Sequence, residues 1–583
     1  MGKTIIQKIF ENHSDQEANV GEIIDINIDV RVARDFGGAN VVKNLEENNL
    51  DLDNPSKTYF TFDCNPGGCD QKYAANQHIC RQYARRNNVK IFDIDSGIGT
   101  HIVIDEGIAK PGGTIVSTDS HANILGAIGA FGQGMGDKDI AHAWAYGKIW
   151  FKVPSSVKIV LKGKPSPLAT PKDVVLRLLK EFGADGLLGY SAEIYGEYVD
   201  SLSLDGLVTI ASMATEMGAI IILFPYDNLK ADSDAIYEKT FEVDITDLKP
   251  LISKPGHPED VVKVEAVKGT KVDSGFIGSC TNGRIEDMRF VAKILKNRKI
   301  APGRILKIVP STDKIWKKCL DEGLIKIFKD AGALVGSAGC AGCAAGQIGQ
   351  TGSGEVAVSS GNRNFVGKQG KGDIFLASPA IVAASLVAGY ITTEEKIPEK
   401  PEAVIVTKSR FFEVKSKGKN EQSPLKVEGR AWVIKKDNID TDMIFHNRYL
   451  NITDLKEMGQ YTFDNLEGYK DFAKKAKPGD IIIVGKNFGC GSSRQQAVDC
   501  FKSLDINIII AESFGAIYER NAINSAMPIM VAEDILNQIN DKDELGIDFK
   551  TGEIFDKTQN KKYNGKPLSK SQLDIYLRGG LLT

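Results

Sequence analysis

Short runs of β-branched residues, each followed by a helical pattern, recur along the first 400 residues: KTYFTFD with a polar helix to Arg86, then VKIFDID, GTIVSTD, VKIVLKG, AIIILFP, DSGFIGS, GRILKIVP and EVAVSSG. Strands alternating with helices mean parallel sheets in doubly wound layers, an α/β class. Several runs end in turns rich in Gly, Ser, Cys or Asp: SGIGTH, STDSH, GSCTNGR and SSGNRN. Polar side chains therefore collect at the carboxyl ends of strands, the edge where open α/β sheets bind ligands.

The pattern breaks between Glu394 and Ser423, a charged stretch with two prolines, followed by Pro424, that reads as a linker around one short strand. Beyond it, GRAWVIKKDNIDTDMIF, DIIIVGKNFGCGSS and INIIIAESFG predict a smaller β/α unit, and ELGIDFKTGEIFDKTQNKKYNG a terminal hairpin. A length of 583 residues predicts three to five domains. With 73 Lys and Arg against 76 Asp and Glu, the net charge of −3 is too even for holding nucleic acid by bulk charge, and 42% apolar residues exclude a disordered chain. No apolar run reaches the length of a membrane span. The opening MGKTIIQKIFENHSDQE has neither a signal-peptide core nor transit-peptide character, and Ile6 breaks a myristoylation pattern, so a cytoplasmic protein is expected.

Nine cysteines, an odd number in a chain this long, do not suit a disulfide framework. Cys280 in GSCTNGR, with Cys340 and Cys343 in SAGCAGCAAG, places three thiols on Gly-rich turns. A C-x-x-C pair is equally a redox dithiol, half a zinc site or a structural pair; the third cysteine allows a 4Fe-4S cluster with one iron lacking a protein ligand. Cys64, Cys69, Cys80, Cys319, Cys490 and Cys500 are candidates for a fourth ligand. Asp119, Ser120 and His121 in STDSH put a carboxylate two residues from an imidazole, as acid–base work needs, although such a turn is commonly a cap. His101 ends a similar turn. NFGCGSSRQQ is a glycine loop between strand and helix with Arg494 in the first turn, and by itself reads as an anion site or an N-cap. SSGNRNFVGKQGKGD carries Arg363, Lys368 and Lys371, a carboxylate clamp or a solvated basic loop. The glycines of Gly126–Gly136 precede the strand that a dinucleotide site would need to follow, so they read as close helix packing.

TDSH, IGSCTNGRIEDM, GCAGC, SGNRNFVGKQG, NIDTDMIF, NFGCGSSR and SFGAIYERNAIN occur in the order seen in the aconitase and isopropylmalate isomerase family, which this chain resembles over nearly its whole length. The resemblance implies large and small subunits joined in one chain. It implies a three-subdomain, doubly wound α/β/α portion over residues 1–400, divided near 163 and 265, a linker over 401–425, and a small β/α swivel domain over 426–583. It further implies that Cys280, Cys340 and Cys343 ligate one 4Fe-4S cluster per chain, whose free iron takes the substrate hydroxyl and a carboxylate. Ser492 would remove the proton, with Ser493 and Arg494 beside it; Arg363 would bind a carboxylate. Asp119 and His121 match active-site positions, with Ser120 at the substrate, and His101 with Glu106 matches a G-x-x-H pattern.

Three departures from the family pattern bear on mechanism. Asp63-Cys64 stands where Asp-His is usual, so the acid that protonates the leaving hydroxyl is altered and a thiol, His101 or water must substitute. Lys368 replaces an arginine, keeping the charge but losing the bidentate fork. Asn451, in RYLNIT, is neither the arginine nor the aliphatic residue that selects substrate in relatives, which points to a neutral polar or small group there. The expected activity is a hydro-lyase acting on a 2-hydroxy di- or tricarboxylic acid through a cis-alkene. The alternatives are an iron-sensing RNA-binding relative, which the near-neutral charge does not support, and a zinc hydrolase on Cys340 and Cys343. A monomer with a small-molecule partner, no membrane and no nucleic acid is the expectation.

Overall fold

The computed structural model describes residues 2–65, 71–226, 229–344, 347–400, 424–492 and 494–582. They fall into two compact units, Met1–Thr407 and Lys408–Thr583. Among the described residues, no helix is long and apolar enough to cross a membrane.

The first unit holds three larger sheets, each with its own apolar core. One is five-stranded and wholly parallel, in the order Lys90–Phe92, Thr58–Thr61, Val30–Arg34, Thr114–Ser117, Phe131–Gly134. Its central strand, Val30–Arg34, is buried at every position although its sequence is VRVAR. Arg31 pairs with Asp53 at 2.8 Å and Arg34 with Asp63 at 2.7 Å, which is what makes two arginines tolerable there. The second sheet is four-stranded and parallel, in the order Ile221–Leu223, Ser191–Tyr195, Ser156–Lys162, Lys239–Asp244.

The third sheet has seven strands. Asp373–Ala377, Val356–Ser359, Ser274–Ile277, Ile305–Ile308 and Leu334–Val335 are parallel, and Leu251–Ser253 and Val261–Lys263 add an antiparallel edge. Helix Pro379–Ala388 lies against it; it starts with Pro at its first position and its Ser378 cap accepts from the Ile381 N–H. A Cβ at Gly275 would sit 2.5 Å from the Leu386 side chain, so the strand needs glycine for this helix to close on it.

The second unit is one seven-stranded sheet. Ile529–Val531, Ile508–Ala511, Ile481–Val484 and Lys426–Ile434 run parallel; Glu544–Asp548, Glu553–Asp556 and Lys561–Asn564 extend it antiparallel. The expected terminal hairpin is thus a three-stranded meander. The α/β class and the strands expected before residue 362 are all present. The short strand expected in the linker lies outside the described residues.

Gly126–Gly136 packs closely on a helix, as expected, but the helix is the 3-10 turn Ala122–Ile128: a Cβ at Gly132 would lie 2.1 Å from the Ala122 carbonyl. The glycines enter that turn and the edge strand Phe131–Gly134, and a Cβ at Gly126 would lie 1.8 Å from the Ile222 carbonyl of the neighbouring sheet.

Candidate active site

In the first unit the chemically equipped residues sit just past strand carboxyl ends. Arg34 ends its strand, Asp63 and Cys64 follow Thr58–Thr61, Asp119 to His121 follow Thr114–Ser117, Cys280 follows Ser274–Ile277, and Asn362 and Arg363 follow Val356–Ser359. The Cys340 N–H donates to the Asp63 carbonyl at 2.9 Å, joining the turns of two sheets. Cys280, Cys340 and Cys343 line a cavity of about 330 Å³ together with Arg34, Asp119, Ser120, His121, Arg363 and Lys368.

The sulfurs are not equivalent. Cys340 and Cys343 interact closely, and that interaction raises the first thiol and lowers the second. Cys64 also lines the cavity; burial, then the nearby carboxylates and Cys340, push its thiol well up against the pull of Arg34. Cys80, Cys319 and Cys500 lie in apolar cores, Cys490 belongs to the second unit, and Cys69 lies outside the described residues. Among the described residues, the one trio of His, Cys, Asp or Glu ligand atoms within 4.8 Å of one another is Asp35, Asp63 and Cys64. Asp35 there is taken up by the N–H groups of Asp63, Cys64 and Asn65 and by the Gln77 amide, so it shapes the turn.

Arg34 is the cationic hub of one wall, donating to Asp63 at 2.7 Å and pairing with Asp119 at 3.1 Å. Its Nη2 is buried without a protein partner among the described residues. Burial pushes Asp63 up to about 6 against the pull of Arg34, while Asp119, which burial alone would raise, is held below its ordinary range by Arg34 and His121. On the opposite wall, His121 Nε2 meets Glu216 Oε1 at 3.1 Å and Arg363 Nε donates to the same oxygen at 2.6 Å. Glu216 Oε2 is buried and unpartnered among the described residues. Burial works against the His121 charge, yet Cys280 and Glu216 hold the imidazole well above its usual range.

His101 takes a different part. It is fully buried, with Nε2 3.0 Å from the Cys280 carbonyl and Nδ1 3.2 Å from Arg284 Nη1. Arg284 can only donate, so Nδ1 accepts and Nε2 carries the proton. Burial, then Arg284, push this imidazole down to about 4. His101 therefore ties the Cys280 turn to Arg284, which is itself bound to Asp105 at 2.9 Å and to Asp205. Glu106, expected at the substrate, is exposed and is not among the cavity residues; the helix ends so that Asp105 faces inward and Glu106 outward.

Ser492, Arg494 and Asn451 belong to the second unit. Ser492 is exposed on the loop between strand Ile481–Val484 and helix Gln496–Ser503, and its carbonyl accepts from Thr441 Oγ1 at 3.2 Å. Gly489 has φ +75°, and a Cβ there would lie 2.2 Å from the Tyr518 ring. Arg494 precedes the helix rather than standing in its first turn, and donates to Asp442 at 2.6 Å. Asn451 is exposed, and Ser493 lies outside the described residues. Sequence reasoning missed Arg34, Glu216 and Arg284. Only the arginine of GSCTNGR carried a signal that would have found it.

The cavity joins three cysteines to buried histidine, carboxylate and guanidinium groups at the edges of parallel α/β sheets, the make-up of an enzyme site. A family model described as the aconitase family (aconitate hydratase) matches residues 7–229 and 228–389, and one for the aconitase C-terminal domain matches residues 422–534. The chain is 38% identical to 3-isopropylmalate dehydratase large subunit 1 of Archaeoglobus fulgidus, over 68% of this chain and 100% of that one. It is 36% identical to the homoaconitase large subunit of Thermus thermophilus, over 69% and 99%. With the mitochondrial homoaconitase of Debaryomyces hansenii the identity is 31% over 83% of this chain and 77% of that one. The chain belongs to the aconitase family, and it is a hydro-lyase.

Proposed function

We propose that the protein reversibly dehydrates a 2-hydroxy di- or tricarboxylic acid through a cis-alkene, using a 4Fe-4S cluster on Cys280, Cys340 and Cys343. The observation that carries this reading is that these cysteines share one cavity with Asp119, His121 and Arg363. Three thiols opening on one cavity suit a polynuclear iron-sulfur cluster. Arg34 lines that cavity, and its Nη2, buried and without a partner among the described residues, is a spare donor for a ligand.

When bound, the cluster supplies a Lewis-acidic iron for the hydroxyl that leaves. The chain does the rest. Arg363 and Lys368 hold a substrate carboxylate and offset the charge that builds on it as the adjacent C–H bond breaks. Ser492 of the second unit takes that proton, with Arg494 and Ser493 beside it. His121, oriented by Glu216, lines the cavity and gives a proton to the leaving hydroxyl; His101, with both ring nitrogens engaged at Cys280 and Arg284, instead fixes the Cys280 turn. Residues 426–583 act as a swivel domain that carries Ser492. Asn451 contributes to substrate choice, toward a small or neutral polar group.

The test is an anaerobic panel on protein reconstituted with iron and sulfide: citrate, isocitrate, homocitrate, isopropylmalate and methyl-substituted malates, followed by alkene absorbance. Turnover of at least one acid, dependent on the cluster, is expected. Reconstituted protein that forms no cluster, or that turns over none of them, would remove the reading.

A further inference from the structure

Lys172 is the second residue of helix Pro171–Phe182, inside a capping box formed by Thr170 and Asp173. Its side chain is wholly buried. Nζ donates to the Gly361 carbonyl at 2.8 Å and the Ser360 carbonyl at 3.2 Å, with Met213 Sδ at 3.8 Å, so its partners are two carbonyls and a thioether rather than a carboxylate. Burying an ammonium is costly, and the positive end of a helix dipole adds to the cost. An apolar side chain of similar length would fill the space more cheaply. Burial draws this ammonium down to about 8, opposed by the charges of Glu216 and Cys280.

What the ammonium holds explains its presence. Ser360 and Gly361 open the turn that carries Asn362 and Arg363. Asn362 accepts from Cys280 Sγ at 3.2 Å and donates to the Ser212 carbonyl at 3.0 Å, while Arg363 reaches Glu216 at 2.6 Å. The Ser360 hydroxyl accepts from the Gly278 N–H at 3.1 Å, one sheet turn from Cys280. A single lysine from the helix beside the second sheet thus anchors, from behind, the turn that carries Arg363 and Asn362 on the third.

We propose that Lys172 is a positioning residue for substrate binding: by pinning the Ser360 and Gly361 carbonyls it aims Arg363 at a substrate carboxylate. The proposal rests on the reading of Arg363 as a carboxylate ligand. Replacing the ammonium would leave two buried carbonyls unpaired, and the turn would relax away from its present geometry.

The experiment uses the full chain, reconstituted anaerobically, as Lys172→Met, Lys172→Gln and Lys172→Arg. KM and kcat are measured with whichever acid of the panel the unaltered protein turns over. Cluster absorbance, melting temperature and calorimetric affinity for the unreactive tricarballylate are read on the same samples. Lys172→Met is expected to keep its cluster, to raise KM and weaken tricarballylate by about tenfold, the size of one charge-assisted hydrogen bond, and to change kcat less. Lys172→Arg falls nearest to the unaltered protein and Lys172→Gln between. In an Arg363→Ala background, Lys172→Met causes no further loss of affinity, because both changes remove the same interaction. Unchanged affinity with only a lower melting temperature, or losses that add fully with Arg363→Ala, would overturn the proposal. If Lys172→Met does not fold, Lys172→Gln decides by the same readouts. An unaltered protein that turns over no acid overturns the proposed activity instead, and with it the substrate Lys172 is held to serve.

Discussion

The cavity of the first unit and the serine loop of the second are built by different means. Around the cavity, geometry is set by buried charge: Arg34 between Asp63 and Asp119, Glu216 between His121 and Arg363, and Arg284 between Asp105 and Asp205. On the loop, geometry is set by backbone shape: two glycines with positive φ, Gly489 packed on Tyr518, an exposed Ser492 and one ion pair, Arg494 to Asp442. A fixed field that must stabilise charge has to be paired and dry, whereas one proton acceptor needs only to be held out at the correct angle. Substitutions in the first region, His121 apart, should therefore act through cluster and affinity, and those in the second through turnover or local stability.

The largest effect should come from Cys340→Ala, which removes a thiol from the cavity. Cluster absorbance after reconstitution is expected to collapse and turnover with it, while far-ultraviolet circular dichroism stays that of a folded chain. Ser492→Ala sharpens the contrast: kcat is expected to fall about a thousandfold, the scale of losing a positioned base, with cluster absorbance unchanged. A Ser492→Ala protein that turns over normally would erase the assigned division of labour. Gly489→Ala should destabilise the second unit by about 3 kcal/mol, through a strained φ and a clash with Tyr518, read as a lower melting temperature without loss of cluster.

The smallest effect concerns a half-exposed pair on the first unit. His13 meets Asp29 at 2.8 Å; that hydrogen bond holds Asp29 at about 2, below its ordinary 3.8, and raises His13 above 6.5. The Asp29 contribution is present above 3.8 and is lost as pH falls through about 2; the His13 contribution is present below 6.5 and is lost as pH rises past its raised value. The difference in melting temperature between unaltered protein and His13→Ala should peak near pH 5. Solvent screening keeps it below about 1 kcal/mol.

What was legible in the sequence follows the same division. Strands made of β-branched runs, and turns that carry their chemistry in one short motif, could be read directly: Cys280 and STDSH fall just past strand ends and Ser492 on a loop between strand and helix, although Arg494 stands before that helix and not in its first turn. The strand Val30–Arg34 escaped notice because two of its five residues are arginines, which a chain by itself marks as exposed. Only the fold brings Asp53 and Asp63 to them. Glu216 and Lys172 were invisible for a related reason: their partners lie 95 and 189 residues away, at His121 and Gly361, and no local pattern encodes such a contact. Glu106 shows the resolution of motif reading. The turn was found, but which of two neighbouring carboxylates faces inward depended on where the helix ends.

The claim on which the rest stands is that Cys280, Cys340 and Cys343 hold an iron cluster with one iron open to substrate. Iron-57 Mössbauer spectra of the anaerobically reconstituted protein, with and without its hydroxy acid, test this most directly. The account predicts that one iron site changes its parameters when the acid is added while the others do not. Spectra that do not respond to the acid, or a protein that takes up zinc and no cluster, would contradict it.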